Sequence, residues 1–375
     1  MADVPSRSSV SPLSRRRFIG RFSTGASALA FAFATRARGA GPSPTRPLGV
    51  VLAGLGNYAT RELLPALKET KFCRLAGVIT GSADKGRAWA KEHGFPEKNV
   101  WNYADMQAME SARDVDVVYV VTPNSLHAEH SIRAARAGKH VICEKPMAVS
   151  VAECDAMIAA SEKAGKTLTM GYRLHFDPYH QELIRLARTQ AFGPFMKMSG
   201  GFGFNMARKV WRAERALAGG GPMMDLGIYA VHEACLAAQA NPIAVTGKER
   251  PKTRPEFFTD VEESLDWTME FPNGARAELF TSYNESMNRF RAEAARGWFE
   301  VGPAFGYRGL KAATSEGPLS FPPLRQQAVH LDAISRAILE KTELPTPASL
   351  GRRDMVVIEA IYEAARTGRR VTLSW

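Results

Sequence analysis

The spacing of apolar residues divides the chain into two parts with different rhythms. In the first part, strand-like apolar runs at 48–54, 73–81, 114–123, 140–146 and 167–173 alternate with segments of helical period. The run "DVDVVYVVTP" has almost no polar alternation, which is typical of a strand covered on both faces. Strands that alternate with helices predict a parallel, doubly wound sheet with right-handed crossovers.

After about residue 170 the rhythm changes. Longer strand candidates at 195–204, 263–271, 275–283 and 298–303 follow one another without helices between them, and helices at 324–340 and 352–368 close the chain. This pattern predicts a sheet that is mostly antiparallel and packs one face on helices. We therefore predict an α/β protein with a doubly wound domain at 48–170. A second α/β domain with a large open sheet is predicted at 171–375, with the last helix packing back on the first domain.

Charge is concentrated at the start of the chain. The 375 residues carry a formal net charge of +11, which invites a nucleic-acid interpretation. Residues 1–46 contain eight Arg and one acid, so they contribute +7, and the remainder carries only 11 − 7 = +4. No Lys/Arg run with interleaved aromatic residues follows. The composition therefore gives no support for a nucleic-acid partner.

The basic start has the pattern of an export signal. "SRRRFIG" precedes an apolar run of about a dozen residues and then small residues. The run is shorter than the roughly 20 apolar residues that span a bilayer. Arg15 and Arg16 resemble the twin-arginine signal of bacteria, the alternative being an accidental arginine cluster. We predict a signal at 1–40, a Pro-rich linker at 41–47, export by the twin-arginine machinery and a periplasmic protein.

The four cysteines match no zinc-binding spacing, so no metal site is predicted. An exported protein could form disulfides. Cys73 and Cys143 lie inside apolar strand-like runs, however, which favours reduced cysteines that act as small core residues.

A glycine motif follows the first strand directly. "AGLGNYA" gives Gly54-x-Gly56-x-x-Ala59 between an apolar strand and a helix, the context in which this motif binds a dinucleotide. Gly54 permits the tight turn, and Gly56 lets the backbone approach a pyrophosphate on the helix N-terminus. The motif predicts a Rossmann fold with a nicotinamide cofactor.

The end of the second strand selects between NAD and NADP. An acid about 20 residues after the glycines would bind the ribose 2′-hydroxyl of NAD. Here the strand ends in Thr80-Gly81-Ser82, and Lys85 follows, which suits a 2′-phosphate and predicts NADP. The predicted cofactor contacts are Gly54, Gly56, Asn57, Tyr58, Ala59, Thr80, Ser82, Lys85, Pro123, Asn124, His127, Glu144 and Lys145.

Candidate catalytic residues lie at the end of the fourth predicted strand and in a later helix. Glu144 and Lys145 end "VICEKP" on the side where ligands bind in such sheets. Asp225 and Tyr229 are four residues apart, so on a helix they share one face. A phenol is a poor proton acceptor near neutral pH, and a neighbouring ammonium such as that of Lys145 makes it a better one.

Three stretches, "AGLGNYA", "TPNSLHAEHSIRAARAGKHVICEKPM" and "AGGGPMMDLGIYAVH", together resemble the Gfo/Idh/MocA oxidoreductases. The resemblance covers about residues 48–375. Within that family the chain is most similar to the glucose–fructose oxidoreductase branch, with the aldose–aldose oxidoreductases as close neighbours. It implies a Rossmann domain and an α/β domain whose open sheet mediates homo-oligomers, here a dimer or tetramer. It also implies that Lys145 and Tyr229 are catalytic and that Asp225 orients the substrate.

The implied reaction is oxidation of an aldose such as glucose at C1 to the aldonolactone. The hydride then passes to a second sugar, fructose or another aldose, to give a polyol, while NADP stays bound. The alternatives are a sugar or inositol dehydrogenase with exchangeable NAD(P) and a sugar-sensing protein without turnover. The N-terminal arm that helps enclose the cofactor in this branch is short here, only "GPSPTRP".

Further residues are candidates for substrate or cofactor contact. Arg173 and His175 follow a strand end and are candidates for sugar hydroxyls, or else for backbone carbonyls. Trp211 is a candidate for stacking on a sugar, or else for the core. His127 and His130 are both expected to be able to face solvent, with His127 also near the cofactor cleft.

Overall fold

The computed structural model describes residues 46–375. The predicted signal at 1–40 and most of the Pro-rich linker lie outside the described residues. The described part contains two sheets, each with its own set of helices.

The first sheet contains six strands in the order β3-β2-β1-β4-β5-β6, and every pairing is parallel. Its elements are β1 (Leu48–Ala53), α1 (Leu64–Leu67), β2 (Cys73–Ile79), α2 (Ala83–His93), β3 (Val100–Trp101), β4 (Val117–Val120), α3 (His127–Arg136), β5 (His140–Cys143), α4 (Val151–Lys163) and β6 (Leu168–Met170). A π-helical turn, Ala59–Leu63, leads into α1. All four residues of β4 are buried, as its unbroken apolar run predicts. The prediction of a doubly wound Rossmann sheet is confirmed.

The second sheet contains nine strands in the order β14-β13-β12-β11-β7-β10-β9-β8-β15. Its elements, with the helices between them, are α5 (Pro178–Thr189), β7 (Lys197–Gly203), α6 (Arg215–Ala218), α7 (Ile228–Ala238), β8 (Ala244–Glu249), β9 (Ser264–Glu270), β10 (Arg276–Ser282), β11 (Met287–Ala294), β12 (Gly297–Val301), β13 (Ala312–Thr314), β14 (Gly317–Leu319), α8 (Gln326–Glu340), α9 (Ala348–Thr367) and β15 (Val371–Thr372). All pairings are antiparallel except β7 with β10. The predicted, mostly antiparallel sheet is confirmed, and assembly into a homo-oligomer stays a prediction.

The two final helices connect the sheets. Helix α8 packs on α1 and β2 of the first sheet, although it follows the second sheet in the chain. Helix α9 packs on β8 of the second sheet and also on α4 and β6 of the first. Helix α9 therefore contacts strands of both sheets.

All four cysteines are free and buried, which confirms the prediction of reduced core residues. Burial raises the pKa of the Cys73 thiol to about 11 and that of Cys154 and Cys235 to about 12. The thiols are therefore protonated near neutral pH. Between residues 46 and 375, no helix is both long and apolar enough to cross a membrane.

Candidate active site

The glycine loop after β1 has the geometry of a dinucleotide-binding turn. Gly54 adopts a φ of +106°, and a Cβ there would lie 2.9 Å from the Val121 carbonyl oxygen. A Cβ at Gly56 would meet no protein atom within 4 Å. The backbone at Gly56 is thus open to a ligand, and the helical turn that starts at Ala59 follows directly. The loop fits the pyrophosphate of a nicotinamide dinucleotide.

A cation, and not an acid, lies beside this loop. Lys85 Nζ donates to the Leu55 carbonyl at 2.7 Å. The Ser82 hydroxyl caps α2 by accepting from the Lys85 backbone N–H at 3.3 Å, and the Ser82 N–H donates to Thr80 Oγ1 at 3.2 Å. The carboxylate of Asp84 is 92% exposed and pairs with Arg87. The tip of β2 therefore presents hydroxyls and an ammonium group.

Two residues that were predicted to contact the cofactor, Asn124 and His127, connect the loop after β4 to the rest of the site by hydrogen bonds. Asn124 Nδ2 donates to the Ala218 carbonyl at 2.9 Å, which links the two domains. The His127 ring lies 2.9 Å from the Thr122 carbonyl and 2.8 Å from the Pro146 carbonyl. Burial lowers the pKa of His127 to about 4, so the neutral ring donates to one of these carbonyls at a time. Pro123, Asn124 and His127 all line the cleft.

The expectation that His127 and His130 could face solvent is wrong. Both side chains are buried, with relative exposures of 1% and 4%. The His130 ring stacks on Tyr103 with centroids 4.7 Å apart, and its Nδ1 lies 3.1 Å from Thr122 Oγ1. Helix α3 packs on β4 and β5, and both histidines lie on the face of the helix that this packing buries.

Lys145 and Asp225 form a partly buried ion pair at the carboxyl edge of the first sheet. Lys145 Nζ donates to the Asp225 backbone carbonyl at 2.6 Å and lies 3.3 Å from Oδ1. The other carboxylate oxygen accepts from the Tyr283 hydroxyl at 3.0 Å and lies 3.2 Å from Arg212 Nε. Burial opposes ionisation of Asp225, but Arg212 and Lys145 hold its pKa at about 2. Asp225 is therefore a fixed anion between two cations.

Tyr229 lies one turn after Asp225 and faces the same ion pair. Asp225 belongs to a π-helical turn, Met223–Gly227, that leads into α7. Lys145 Nζ lies over the Tyr229 ring, 4.5 Å from its centroid. Arg173 Nη2 lies 3.4 Å from the Tyr229 hydroxyl oxygen. The structure thus brings Lys145, Asp225 and Tyr229 together, as their spacing and strand-end position predict.

The glycines of "AGGGP" allow a buried carboxylate to bind the start of this turn. The Gly221 and Met223 N–H groups each donate to the Glu262 carboxylate at 3.0 Å, and the Tyr362 hydroxyl donates to it at 2.8 Å. A Cβ at Gly220 would lie 2.0 Å from the Tyr362 hydroxyl oxygen. Only glycine fits there, and the buried carboxylate fixes the start of the turn that carries Asp225.

Glu144, the other member of the predicted "EKP" motif, is a buried carboxyl. Its Oε1 accepts from the Tyr119 hydroxyl at 2.8 Å, and its Oε2 accepts from the Lys145 N–H at 3.2 Å. Burial raises the pKa of Glu144, while the Tyr119 hydroxyl and Lys145 oppose the rise. Glu144 lines the same cleft as Lys145.

These groups surround a cavity of about 850 Å³ between the two sheets. The glycine loop, including Asn57 and Tyr58, lines part of it, and a wall rich in aromatic and apolar side chains lines another part. The members of that wall are Phe202, Phe204, Met206, Val210, Trp211, Phe305 and Tyr307. Trp211 is part of this wall and stacks under Arg212, whose guanidinium lies 4.5 Å from its ring centroid. A cofactor ring and a small polar molecule with apolar faces both fit such a site.

Family comparisons agree with this architecture. Residues 48–172 match the family described as "Oxidoreductase family, NAD-binding Rossmann fold", and residues 180–301 match the "GFO/IDH/MocA C-terminal domain". The aldose-aldose oxidoreductase from Caulobacter crescentus, solved in complex with glycerol, is 41% identical, with a TM-score of 0.85. That match covers 88% of this chain and 100% of the other. The chain belongs to the Gfo/Idh/MocA oxidoreductase family.

Two curated relatives of this oxidoreductase are named as sugar dehydrogenases. The D-xylose 1-dehydrogenase [NADP(+)] of Haloarcula marismortui is 25% identical, and the match covers 87% of this chain and 93% of the relative. The D-xylose 1-dehydrogenase (NADP(+)) 2 of Haloferax volcanii is 27% identical over 86% of this chain and 98% of the relative.

The oxidoreductase also contains site residues that the sequence did not indicate. A segment that we call the strap, residues 304–308, leaves the second sheet after β12 and reaches the glycine loop. Tyr307 stacks on Tyr58 with centroids 5.8 Å apart, and Arg308 Nη2 lies 3.0 Å from the Glu62 carboxylate. The strap thus connects the second sheet to the glycine loop and to the helical turn that follows it.

Arg212 and Tyr283 were also missed, although both contact Asp225. Arg212 directly follows Trp211, so its position beside a candidate substrate residue was the available signal. Tyr283 is the last residue of the strand predicted at 275–283, so its position at a strand end was the available signal. His175, predicted beside Arg173, does not line the cavity and packs edge-on against Phe176, with centroids 5.4 Å apart.

Proposed function

We propose that this protein is an exported NADP-dependent oxidoreductase that oxidises an aldose at C1 to the aldonolactone. The hydride passes to a second sugar, a ketose or another aldose, and NADP stays bound between the two half-reactions. The observation that carries the proposal is the meeting of the Lys145 ammonium, the Asp225 carboxylate and the Tyr229 phenol beside the glycine loop. The 41% identity to an aldose-aldose oxidoreductase supports the substrate class.

The residues present fit NADP. Gly54, Gly56 and the helical turn from Ala59 would hold the pyrophosphate, and Thr80, Ser82 and Lys85 would hold the 2′-phosphate. When bound, the nicotinamide supplies hydride acceptance from one sugar and hydride donation to the other. The named NADP dependence of the two xylose dehydrogenases supports the same cofactor.

The chain's own groups handle the proton and the orientation of the sugar. Tyr229 accepts the proton of the C1 hydroxyl as the C1–H bond breaks, and returns it to the second sugar. Two of the three Lys145 ammonium hydrogens are directed to Asp225, which leaves one for the oxygen at C1. Asp225 fixes Lys145 and Arg212, and Trp211 provides an apolar surface for a sugar face.

The direct test is the absorbance of the dialysed protein. Without added cofactor, glucose is expected to produce the near-ultraviolet band of reduced nicotinamide, because in the proposed reaction NADP stays bound through dialysis. A second sugar is then expected to remove the band. If the band appears only when NADP is supplied, and free NADPH accumulates with each turnover, the proposal of a tightly bound cofactor is wrong.

The relatives favour one alternative, an aldose 1-dehydrogenase with exchangeable NADP. Both are named D-xylose 1-dehydrogenases that use NADP. The chemistry at Tyr229 is the same in the two cases, and only the fate of the cofactor differs. The spectrum described above separates them, because an exchangeable cofactor is lost on dialysis.

Thr80→Asp is expected to shift the cofactor preference towards NAD. A carboxylate at Thr80 repels the 2′-phosphate of NADP and accepts from the 2′-hydroxyl of NAD. Loss of hydrogen bonds to a charged group predicts an NADPH affinity about 10–100-fold lower. Titration of NADPH and NADH into cofactor-free protein measures the change. Thr80→Asn is the uncharged control, and an equal effect of both substitutions would contradict the assignment.

Replacing Arg15 and Arg16 together by Lys is expected to leave a full-length precursor in the cytoplasm. The twin-arginine route reads these two guanidinium groups, and Lys keeps the charge without them. Fractionation of cells with an antibody to the mature protein measures the distribution. The control replaces Arg36 and Arg38 by Lys. Normal appearance of the Arg15/Arg16 variant in the periplasm would show that another route exports the protein.

A further inference from the structure

Two cations approach Tyr229 in different ways. The Lys145 ammonium lies over the face of the ring and donates to Asp225. The Arg173 guanidinium instead donates to the phenol oxygen itself, with Nη2 and Oη 3.4 Å apart. Among residues 46–375, Arg173 is the hydrogen-bond donor to this oxygen.

Arg173 is fixed in that position. It is only 3% exposed, its Nη2 donates to the Phe305 carbonyl at 2.7 Å, and its Nη1 donates to the Gly306 carbonyl at 2.9 Å and to the Gln326 side-chain oxygen. The Tyr307 ring lies 4.3 Å from the guanidinium carbon. These partners are neutral dipoles, and within the described chain no carboxylate forms an ion pair with this guanidinium.

A buried cation without a paired carboxylate is costly, so such a group is kept where its charge is used. The guanidinium remains protonated at every pH at which proteins work. Its charge is therefore permanent and is directed at one oxygen atom. That oxygen is the one that exchanges a proton with the sugar in the proposed function.

We propose that Arg173 is a catalytic residue that stabilises the negative charge on the Tyr229 oxygen whenever the transferred proton is on the sugar. The inference rests on the proposed function, because it needs Tyr229 to be the proton carrier. In oxidation, the phenolate oxygen takes the proton of the C1 hydroxyl as the C1–H bond breaks. In reduction, the phenol gives the proton to the sugar oxygen, and the charge returns to the phenol oxygen beside Arg173.

Several titratable or charged groups besides Arg173 surround the phenol. They are Lys145 and Glu144 at the end of β5, Asp225 in the preceding turn, Tyr58 in the glycine loop and Tyr307 in the strap. Arg173 differs from all of them because it donates directly to the phenol oxygen. The pH dependence of its loss is therefore the signature to measure.

Arg173→Gln is expected to lower the single-turnover rate of bound-NADP reduction by about 10²-fold near neutral pH, the usual effect of removing one such donor. The loss is expected to shrink as the pH rises, because the guanidinium acts only by favouring the charged form of the phenol oxygen. Arg173→Lys keeps a positive charge and is expected to recover part of the rate. If Arg173→Gln does not fold, Arg173→Lys carries the same test with its smaller loss.

A purely structural role, holding the strap, is the competing explanation. Arg308→Gln loosens the strap at Glu62 without contacting the phenol, so it is expected to weaken cofactor retention and leave the shape of the pH profile unchanged. In a Tyr229→Phe background, Arg173→Gln is expected to lower the single-turnover rate by less than about a further 3-fold, because the oxygen on which Arg173 acts is gone.

A full 10²-fold additional loss in the Tyr229→Phe background would overturn the inference, as would a loss that is the same at every pH. Retention of wild-type rate by Arg173→Gln would overturn it while leaving the proposed function intact. Failure of the wild-type protein to reduce bound NADP with any aldose would instead count against the proposed function.

Discussion

Tyr229→Phe is expected to lower the rate of bound-NADP reduction by glucose on the order of 10²–10⁴-fold, the usual contribution of a general acid–base group. The substitution removes only the hydroxyl. The ring still packs against Phe305, with centroids 5.8 Å apart, and still lies under the Lys145 ammonium. We therefore expect the fold and the bound cofactor to be retained.

Single-turnover absorbance at several pH values measures this effect. Both half-reactions are expected to slow by similar factors, because one phenol takes the proton from the first sugar and returns it to the second. Tyr283→Phe is the matched control, since it removes a hydroxyl from Asp225 but not from the proton path. A Tyr229→Phe enzyme that works near the wild-type rate would remove this residue from the mechanism.

Lys145→Met is expected to lower the same rate by about 10²–10³-fold, as the loss of one charged donor to a reacting oxygen does. Methionine has nearly the shape of lysine without the ammonium. Asp225 then loses one counter-charge, so its pKa rises from about 2. It keeps Arg212 and Tyr283 as partners. With these partners the carboxyl remains ionised at neutral pH, and the loss of rate is assigned to the missing ammonium.

Lys139→Met is the control for the removal of a buried ammonium. Lys139 Nζ donates to the Ala112 and Val115 carbonyls at 2.9 and 3.0 Å, and the residue does not line the cavity. We expect this variant to be less stable but to transfer hydride at the wild-type rate. Equal kinetic losses in the two variants would assign the Lys145 effect to destabilisation.

Much of the fold could be predicted because its signals are local. The unbroken apolar run before Thr122 predicts a covered strand, and the glycine motif predicts the turn after β1. Strand β11, Met287–Ala294, was missed, because its charged positions alternate with only two small or aromatic inward residues, Phe290 and Ala292. The parallel pairing of β7 with β10 was also missed, since register between strands so far apart in sequence has no local signature.

The site could be predicted only where a motif carries it. The end of β5 places Lys145, and the four-residue spacing places Asp225 and Tyr229 on one face of a helix. The strap and Tyr283 reach the site from loops and a strand end that are distant in sequence and have no periodic pattern. Asn124 and His127 line the cleft, and their side chains form hydrogen bonds with backbone carbonyls, so their contact with the cofactor stays a prediction.

The buried cysteines make the protein a reporter of its own opening. A thiol-reactive dye needs an exposed, ionised thiol, and the native protein offers none of the four in that state. Labelling is therefore limited by transient opening of the structure. Cys73 and Cys143 lie in strands of the first sheet, and Cys235 lies in α7. The order in which these thiols react would time the opening of each half of the molecule separately.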